Sequence, residues 1–228
     1  MRLMRLARNS HHFVSLLALM AAPCTSVVAQ ELTTPVLDLS KPAPREQQVS
    51  AVPGMSVGLI GGQPLPSGYL LPLKIELSSI YPQPLEESKK FTVEVRVRNT
   101  SASTFFLPAS QNGVEVLQRE GKGRRTIAFS LIFEDPKSGR QTSSIAAVAM
   151  GAETVKDSLL RIDPGKDVRV LFTADLKPIA DWLSNDLGQI QIRAGALETT
   201  FEDLRYFVKS ESQPVISDDK ETVSLKGH

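Results

Sequence analysis

The chain has 228 residues, of which 41% are hydrophobic and 22% are charged, and its formal net charge is +1. A net charge so close to zero removes the electrostatic basis for binding nucleic acid or an anionic membrane surface, which requires a clustered excess of Lys and Arg. The length accommodates one domain or two, and the composition is ordinary for a globular protein.

Residues 1–29 have the three-part pattern of a secretory signal peptide. A start that contains arginines precedes an apolar run of about ten residues, 13–22, and a small-residue stretch ends at Ala29. Because a membrane-spanning helix needs roughly 20 residues, we expect cleavage after Ala29, no transmembrane anchor afterwards, and a periplasmic or secreted protein. The alternative, a lipoprotein acylated at Cys24, is disfavoured because Pro23 precedes the cysteine and no leucine lies three positions before it.

Cleavage after residue 29 removes residue types on which much enzyme chemistry depends. Cys24 is the only cysteine, and of the three histidines only His228 follows the leader. A Ser-His-Asp or Cys-His nucleophile system then cannot be assembled within the domain, and neither can a zinc, copper or iron site built on nitrogen or sulfur ligands. The mature chain is also about neutral, because the 26 basic residues fall to 23 against 25 acidic ones. We therefore predict a protein that is not an enzyme and that needs no cofactor or metal.

Residues 30–71 contain six prolines and five glycines, and neither residue favours a helix or a long strand. This stretch is predicted to be a flexible linker, with one short strand over 55–60 that docks on the edge of the domain. At the other end, residues 210–228 are polar and charged, and we expect a disordered tail.

Residues 72–209 contain about seven short segments in which apolar and polar residues alternate, the pattern of half-buried β-strands. The predicted strands cover residues 73–78, 91–98, 114–117, 125–134, 158–162, 167–172 and 189–193, with a further edge at 204–208. Residues 105–107 either extend the second strand past a bulge or make a short third strand. Residues 177–185 follow helical spacing behind Pro178 and predict a short connecting helix. The run 144–150 fits a helix or a strand equally well.

Many short strands with little helix predict an all-β fold, a two-layer antiparallel β-sandwich over residues 72–209. Residues 95–108 (VRVRNTSASTFFLP) and 160–172 (LRIDPGKDVRVLF) resemble the immunoglobulin-like and fibronectin-like domains of exported bacterial proteins. The resemblance implies an immunoglobulin-like sandwich and concerns the fold alone. The chain departs from antibody domains because it lacks a cysteine pair and because Trp182 lies in the predicted helix.

Carboxylates are the chemistry that remains, since paired Asp or Glu side chains can transfer protons or bind calcium. The adjacent pairs are Glu86-Glu87, Glu134-Asp135, Glu202-Asp203 and Asp218-Asp219. None has the spacing of a calcium-binding loop, and all lie near predicted turns or the tail, where acidic residues serve solubility. Asn99-Thr100-Ser101 matches a glycosylation acceptor, but we interpret it as the turn that ends a strand.

The candidate binding surface consists of Glu94, Arg96, Arg98, Phe105 and Phe106. The three charged residues form the outward row of the strand over 91–98, and such a row is often only the wet side of a sheet. The two phenylalanines are consecutive, so in an extended chain one of them faces outward unless another segment, such as the linker, covers it.

These observations favour a non-enzymatic binding or assembly module of the bacterial cell envelope, with another envelope protein as its partner. One alternative is a carbohydrate-binding or carboxylate-based glycan-active protein, for which the partner is a glycan, although aromatic residues are sparse. The other alternative is a protease inhibitor that presents the loop over residues 135–140.

Overall fold

The structure, a computed structural model, describes residues 34–40, 69–110, 125–183, 188–203, 206–210 and 212–226. All of them belong to one compact unit, Thr34–His228. Three predicted features, the leader over 1–29, the docking strand over 55–60 and the strand over 114–117, lie outside the described residues.

Strands make up most of the described part of the chain, which confirms the predicted all-β class. The strands are β1 (Val36–Asp38), β2 (Tyr69–Leu70), β3 (Leu73–Tyr81), β4 (Phe91–Asn99), β5 (Phe105–Pro108), β6 (Arg125–Glu134), β7 (Gln141–Gly151), β8 (Leu159–Ile162), β9 (Asp167–Ala174), β10 (Gln189–Asp203), β11 (Tyr206–Ser210), β12 (Ser212–Gln213), β13 (Val215–Ile216) and β14 (Glu221–Ser224). A short 3₁₀ helix over Lys177–Trp182 matches the predicted connecting helix. No helix in the described ranges is long and apolar enough to cross a membrane.

The strands form two large sheets and two small ones. The first large sheet has the order β1-β9-β4-β3, and the second has the order β11-β10-β6-β7, with β13 and β14 also paired to β10. The small sheets are β2 with β12 and β5 with β8. The run 144–150, which its pattern left open, lies within strand β7.

The two middle strands of the first sheet, β4 and β9, each bury every second side chain. Four apolar side chains of β4 are fully buried, namely Phe91, Val93, Val95 and Val97. The residues between them point to the opposite face, as the two-residue period of a strand requires. In β9, the same pattern buries Val168, Val170 and Phe172.

One hydrophobic cluster contains buried residues from both large sheets. The ring of Phe129 in β6 stacks on the ring of Phe172 in β9, with centroids 5.8 Å apart and an interplanar angle of 25°. Strand β6 lies between β10 and β7 and is buried on both faces over Thr126–Leu131. The stacked rings therefore join the core of one large sheet to that of the other.

The predicted linker contains two strands, which corrects the prediction for those residues. Val36–Asp38 pairs in parallel with β9, and Tyr69–Leu70 pairs in parallel with β12. Leu37 and Leu39 are buried in the common core, although the high proline content of the surrounding stretch hides their alternation. The same pairings depart from the purely antiparallel arrangement that the sequence predicted.

The predicted disordered tail also contains paired strands. Glu221–Ser224 runs antiparallel to β10, in a register that joins Val223 to Ile190. Val223 and Leu225 are buried in the core. Two apolar residues among many polar ones make too short a pattern to distinguish a strand from a tail, so only the tertiary contacts with β10 decide the structure here.

Candidate functional site

The predicted charged row lies on the outer face of the first large sheet, and charged residues of the neighbouring strands surround it. The register places Arg98 between Lys74 of β3 and Asp167 of β9, and Arg96 between Glu76 of β3 and Arg169 of β9. Outer residues of adjacent strands stand about 5 Å apart, close enough for ion pairs. The three charged residues of β4 are therefore part of a larger charged surface that also includes residues of β3 and β9.

Two bidentate ion pairs organise this surface. Arg169 donates to Glu94 from Nε to Oε1 at 2.7 Å and from Nη2 to Oε2 at 2.9 Å. Arg98 donates to Asp167 from Nε to Oδ1 at 2.7 Å and from Nη2 to Oδ2 at 3.1 Å. Fork-to-fork pairing holds both partners in one geometry. Glu94 and Arg98 are thus engaged within the sheet.

Arg96 has the loosest contacts of the row. Its Nη1 lies 3.8 Å from Oε2 of Glu76, and its Nε lies 3.9 Å from Oδ2 of Asp167. Glu76 in turn contacts Nζ of Lys74 at 2.9 Å. The face carries four positive groups (Lys74, Arg96, Arg98 and Arg169) and three negative ones (Glu76, Glu94 and Asp167), so its net charge is only +1. This balance argues for a stabilising ladder of charges more than for an ion-binding surface.

The ion pairs also lower the pKa values of their carboxylates. Hydrogen bonding from Arg169 lowers the pKa of Glu94, and partial burial opposes this effect. Hydrogen bonding from Arg98 likewise lowers the pKa of Asp167. Both carboxylates therefore stay ionised to a lower pH in the folded chain than they do in the unfolded chain.

These shifts predict a stability that depends on pH. A carboxylate with a lowered folded pKa stabilises the protein above its unfolded pKa, about 4, and the contribution is lost as the pH falls through the folded pKa. We expect Glu94→Gln to reduce the free energy of unfolding at pH 7 by up to about 1 kcal/mol, as for partly exposed pairs. The difference from the unmodified protein should vanish near pH 2, as urea unfolding at both pH values can measure.

The matched control for this experiment is Glu153→Gln, which makes the same chemical change at an exposed residue. It should leave the free energy of unfolding unchanged at both pH values. An equal cost of Glu94→Gln at pH 7 and pH 2 would contradict the assignment, because that cost could not come from the ionised pair.

The two phenylalanines of the candidate surface have opposite environments. Phe105 is only 5% exposed, and the guanidinium carbon of Arg125 lies 5.1 Å from the centre of its ring. Phe106 is 45% exposed. As consecutive residues of β5 they point to opposite sides, so Phe105 belongs to the core and only Phe106 remains available at the surface.

Phe106 lies opposite an exposed arginine. Its register partner across β5 and β8 is Arg161, whose side chain is 67% exposed. Nε of Arg161 donates to Oδ1 of Asp163 at 2.8 Å, and Oγ1 of Thr104 donates to the same oxygen at 3.1 Å. The charged row lies on β4 of the first large sheet, whereas Phe106 lies in the small β5–β8 sheet. The predicted surface is therefore two separate features.

Asn99 is a structural residue at the end of β4, as the turn interpretation predicts. Its Nδ2 donates to the carbonyl oxygens of Ser103 and Ile162 at 2.7 and 2.9 Å. Its Oδ1 accepts from the backbone N–H and the hydroxyl of Ser101 at 2.9 and 2.7 Å. All the hydrogen-bonding capacity of the amide is in use and the residue is fully buried, so the side chain is unavailable for glycosylation.

The loop proposed for a protease inhibitor is held by its own hydrogen bonds. Asp135 accepts from the backbone N–H of Lys137 at 2.8 Å and from the hydroxyl of Ser138 at 2.5 Å. Gly139 has a φ of +69°, a conformation that glycine adopts without strain. The Arg140 guanidinium carbon lies 5.9 Å from the centre of the Trp182 ring. Arg140 nevertheless stays exposed, so the contact does not remove it from the surface of the loop.

Three adjacent acidic pairs have described side chains, and they do not converge on a metal site: Glu86-Glu87, Glu134-Asp135 and Asp218-Asp219. In the described part of the chain, no group of three or more His, Cys, Asp or Glu residues has a geometry that could hold a metal ion. Hydrogen bonds from Lys89 and Lys226 lower the pKa of Glu86, and those from Lys220 and Gln141 lower the pKa of Glu134. Both carboxylates are therefore engaged with cationic neighbours.

Sequence reasoning overlooked Glu221, because it lies in the predicted tail. Burial raises the pKa of this carboxyl group, and a hydrogen bond from Nε2 of Gln83 to Oε1 at 2.6 Å partly offsets the rise. No pattern of neighbouring residues marks it in the sequence, since its burial depends on β14 pairing with β10.

No protein-family model and no curated protein sequence matches the chain. Similar solved structures include beta-glucosidase from Listeria innocua in complex with glucose, at 15% identity and a TM-score of 0.34, covering 68% of this chain and 16% of that one. The putative ApaA protein from Bordetella pertussis has 12% identity and a TM-score of 0.31, covering 71% and 99%. The alkylpurine DNA glycosylase AlkC from Pseudomonas fluorescens has 7% identity and a TM-score of 0.32, covering 68% and 31%. Likenesses this distant carry no functional argument.

Proposed function

We propose that this chain is a non-enzymatic binding or assembly module of the bacterial cell envelope, exported to the periplasm or secreted, whose partner is another envelope protein. We further infer that the two large sheets are the layers of an immunoglobulin-like sandwich. The stacked rings of Phe129 and Phe172 support two facing layers, because each sheet supplies one ring.

The observation that carries the proposal is the exposed pair of Phe106 and Arg161. Aromatic residues and arginine are the side chains most enriched where proteins contact one another. Here they lie side by side across a two-stranded sheet, with exposures of 45% and 67%. A partner with an apolar pocket and an acidic rim fits this combination.

The bonded carboxylates of the domain are poorly suited to act as general acids. A general acid requires a pKa raised toward the working pH, whereas bonded partners lower the pKa values of Glu76, Glu94, Glu134 and Asp167. These carboxylates are ionised and engaged in the fold. Glu221 has a raised pKa, so it is the residue through which a hydrolase activity is best tested.

The test is crosslinking in cells of the tagged full chain, followed by mass spectrometry of the proteins it holds. We expect one dominant envelope protein, which Phe106→Ser should reduce at least tenfold because the substitution removes the aromatic contact. The matched control is Ile216→Ser, which removes an apolar side chain of similar exposure, 43%, from β13. The control should retain the partner.

Two outcomes would overturn the proposal. Equal capture by both variants would remove the Phe106 surface from recognition, and recovery of glycan alone would favour the carbohydrate alternative. A hydrolase activity of the purified chain that Glu221→Gln abolishes would show that the protein is an enzyme.

A further inference from the structure

Strand β1 is a short strand at one edge of the first large sheet. It pairs in parallel with β9 over three residues. The backbone N–H of Arg169 donates to the carbonyl of Pro35 at 2.8 Å, and that of Leu39 donates to the carbonyl of Leu171 at 2.7 Å. These contacts form the edge of the first large sheet.

The side chains around β1 alternate between the core and the surface. Leu37 and Leu39 enter the core, whereas Val36 is exposed. Two leucines and a few backbone hydrogen bonds must offset the entropy lost when the whole segment 34–40 is ordered. Short segments at the edge of a sheet belong to the less stable parts of a fold, so we expect β1 to open before the rest of the sheet does.

Opening of β1 would expose the edge of β9 and the two core positions that Leu37 and Leu39 had filled. We call this site the seat. The N–H of Arg169 and the carbonyl of Leu171 would lose their partners, and the places of the two leucines would be vacant. Such an edge accepts any extended strand with apolar residues at alternate positions. Residues 35–39 of this chain are the one segment that the structure shows to fit.

The connection that follows β1 is long enough to serve either of two domains. Ser40 lies beside Thr173 at the end of β9, whereas β3 begins at the opposite end, where Leu73 pairs with Asn99. Strand β9 has 8 residues, so the chain must return about 26 Å at roughly 3.3 Å per residue. Residues 41–68 supply 28 residues, which reach about 95 Å when extended at roughly 3.4 Å each.

We propose that the seat on β9 also accepts residues 35–39 of a second copy of this chain, so that two domains exchange their β1 strands. Exchange of an identical element preserves every contact of the seat and is a low-cost route to a dimer. The inference goes beyond the proposed function, because it concerns self-association and does not depend on Phe106 or its partner.

Two single-cysteine variants test the exchange in the full chain carrying Cys24→Ser. Asp38→Cys and Leu171→Cys replace register partners across β1 and β9, and neither variant alone can form the 38–171 disulfide. After incubation as a mixture and mild oxidation, we expect a disulfide-linked dimer that contains the 38–171 peptide pair. Adding Leu37→Asp to the Asp38→Cys chain should reduce its yield at least tenfold, because the strand no longer fits the seat.

The control mixture combines Asp38→Cys with Lys74→Cys, whose cysteine lies on β3 at the other edge of the sheet. Exchange is refuted if the 38–171 crosslink is no more abundant than the 38–74 crosslink while the double variant Asp38→Cys/Leu171→Cys closes within one chain. Failure of the double variant to close would overturn the proposal too, since it would show that β1 does not occupy this register.

Discussion

Phe172→Ala is expected to lower the free energy of unfolding by about 3–5 kcal/mol, the range for removing a large buried aromatic side chain. Phe172 is fully buried in β9 and stacks on Phe129 of β6. Its loss leaves a cavity where the cores of the two large sheets meet, and close-packed neighbours can fill such a cavity only in part. Urea unfolding at pH 7, with the slope checked against the unmodified protein, measures the change.

Phe106→Ala is the matched control, because it deletes the same atoms from a residue that is 45% exposed. We expect it to cost less than about 1 kcal/mol, since a half-exposed ring gains less from burial. Similar losses of unfolding free energy for the two substitutions would contradict the assignment of Phe172 to the core between the two large sheets. Urea unfolding of Phe106→Ser under the same conditions should show that the variant used to test binding also remains folded.

Asn99→Asp is expected to destabilise the protein by about 3–5 kcal/mol at pH 7, the range for leaving a buried charge without a partner. The substitution keeps the shape of the side chain but replaces the donor Nδ2 with an oxygen. That oxygen would face the carbonyl oxygens of Ser103 and Ile162, both acceptors. The turn after β4 would then contain repulsion where it now has two hydrogen bonds.

The pH dependence of the Asn99→Asp variant separates this cause from a packing defect. Burial beside two acceptors raises the pKa of the new carboxyl group in the folded state, so the cost appears above its unfolded pKa, about 3.9, and increases with pH. We expect the destabilisation to shrink between pH 7 and pH 4, as measured by urea unfolding. Thr100→Ala, at the exposed neighbouring residue, should have little effect at either pH, and a cost of Asn99→Asp that is independent of pH would argue against this mechanism.

Of the candidate surface, the sequence identified the outward direction of Glu94, Arg96 and Arg98 correctly, because a strand has a strict two-residue period. It could not show that Arg169 and Asp167 form ion pairs with two members of this row. These residues are 75 and 69 positions away from their partners Glu94 and Arg98, and only the pairing of β4 with β9 brings them together. Likewise, alternation showed that Phe105 and Phe106 face opposite ways, but only tertiary packing decides which one is buried.

The sequence by itself determined the β class and most of the central strands, such as β4, β6 and β9, because long alternating runs carry the signal of a half-buried strand in a single segment. The tertiary structure alone decided the roles of β1 and β14. Each is short and lies in a polar or proline-rich stretch, so its local pattern is weak. These strands form because Leu37, Leu39, Val223 and Leu225 find places in a core that other strands build. The burial of these residues depends on pairing with strands that are distant in the sequence, so no local sequence pattern indicates it. For this reason only the tertiary structure shows that β1 and β14 are strands.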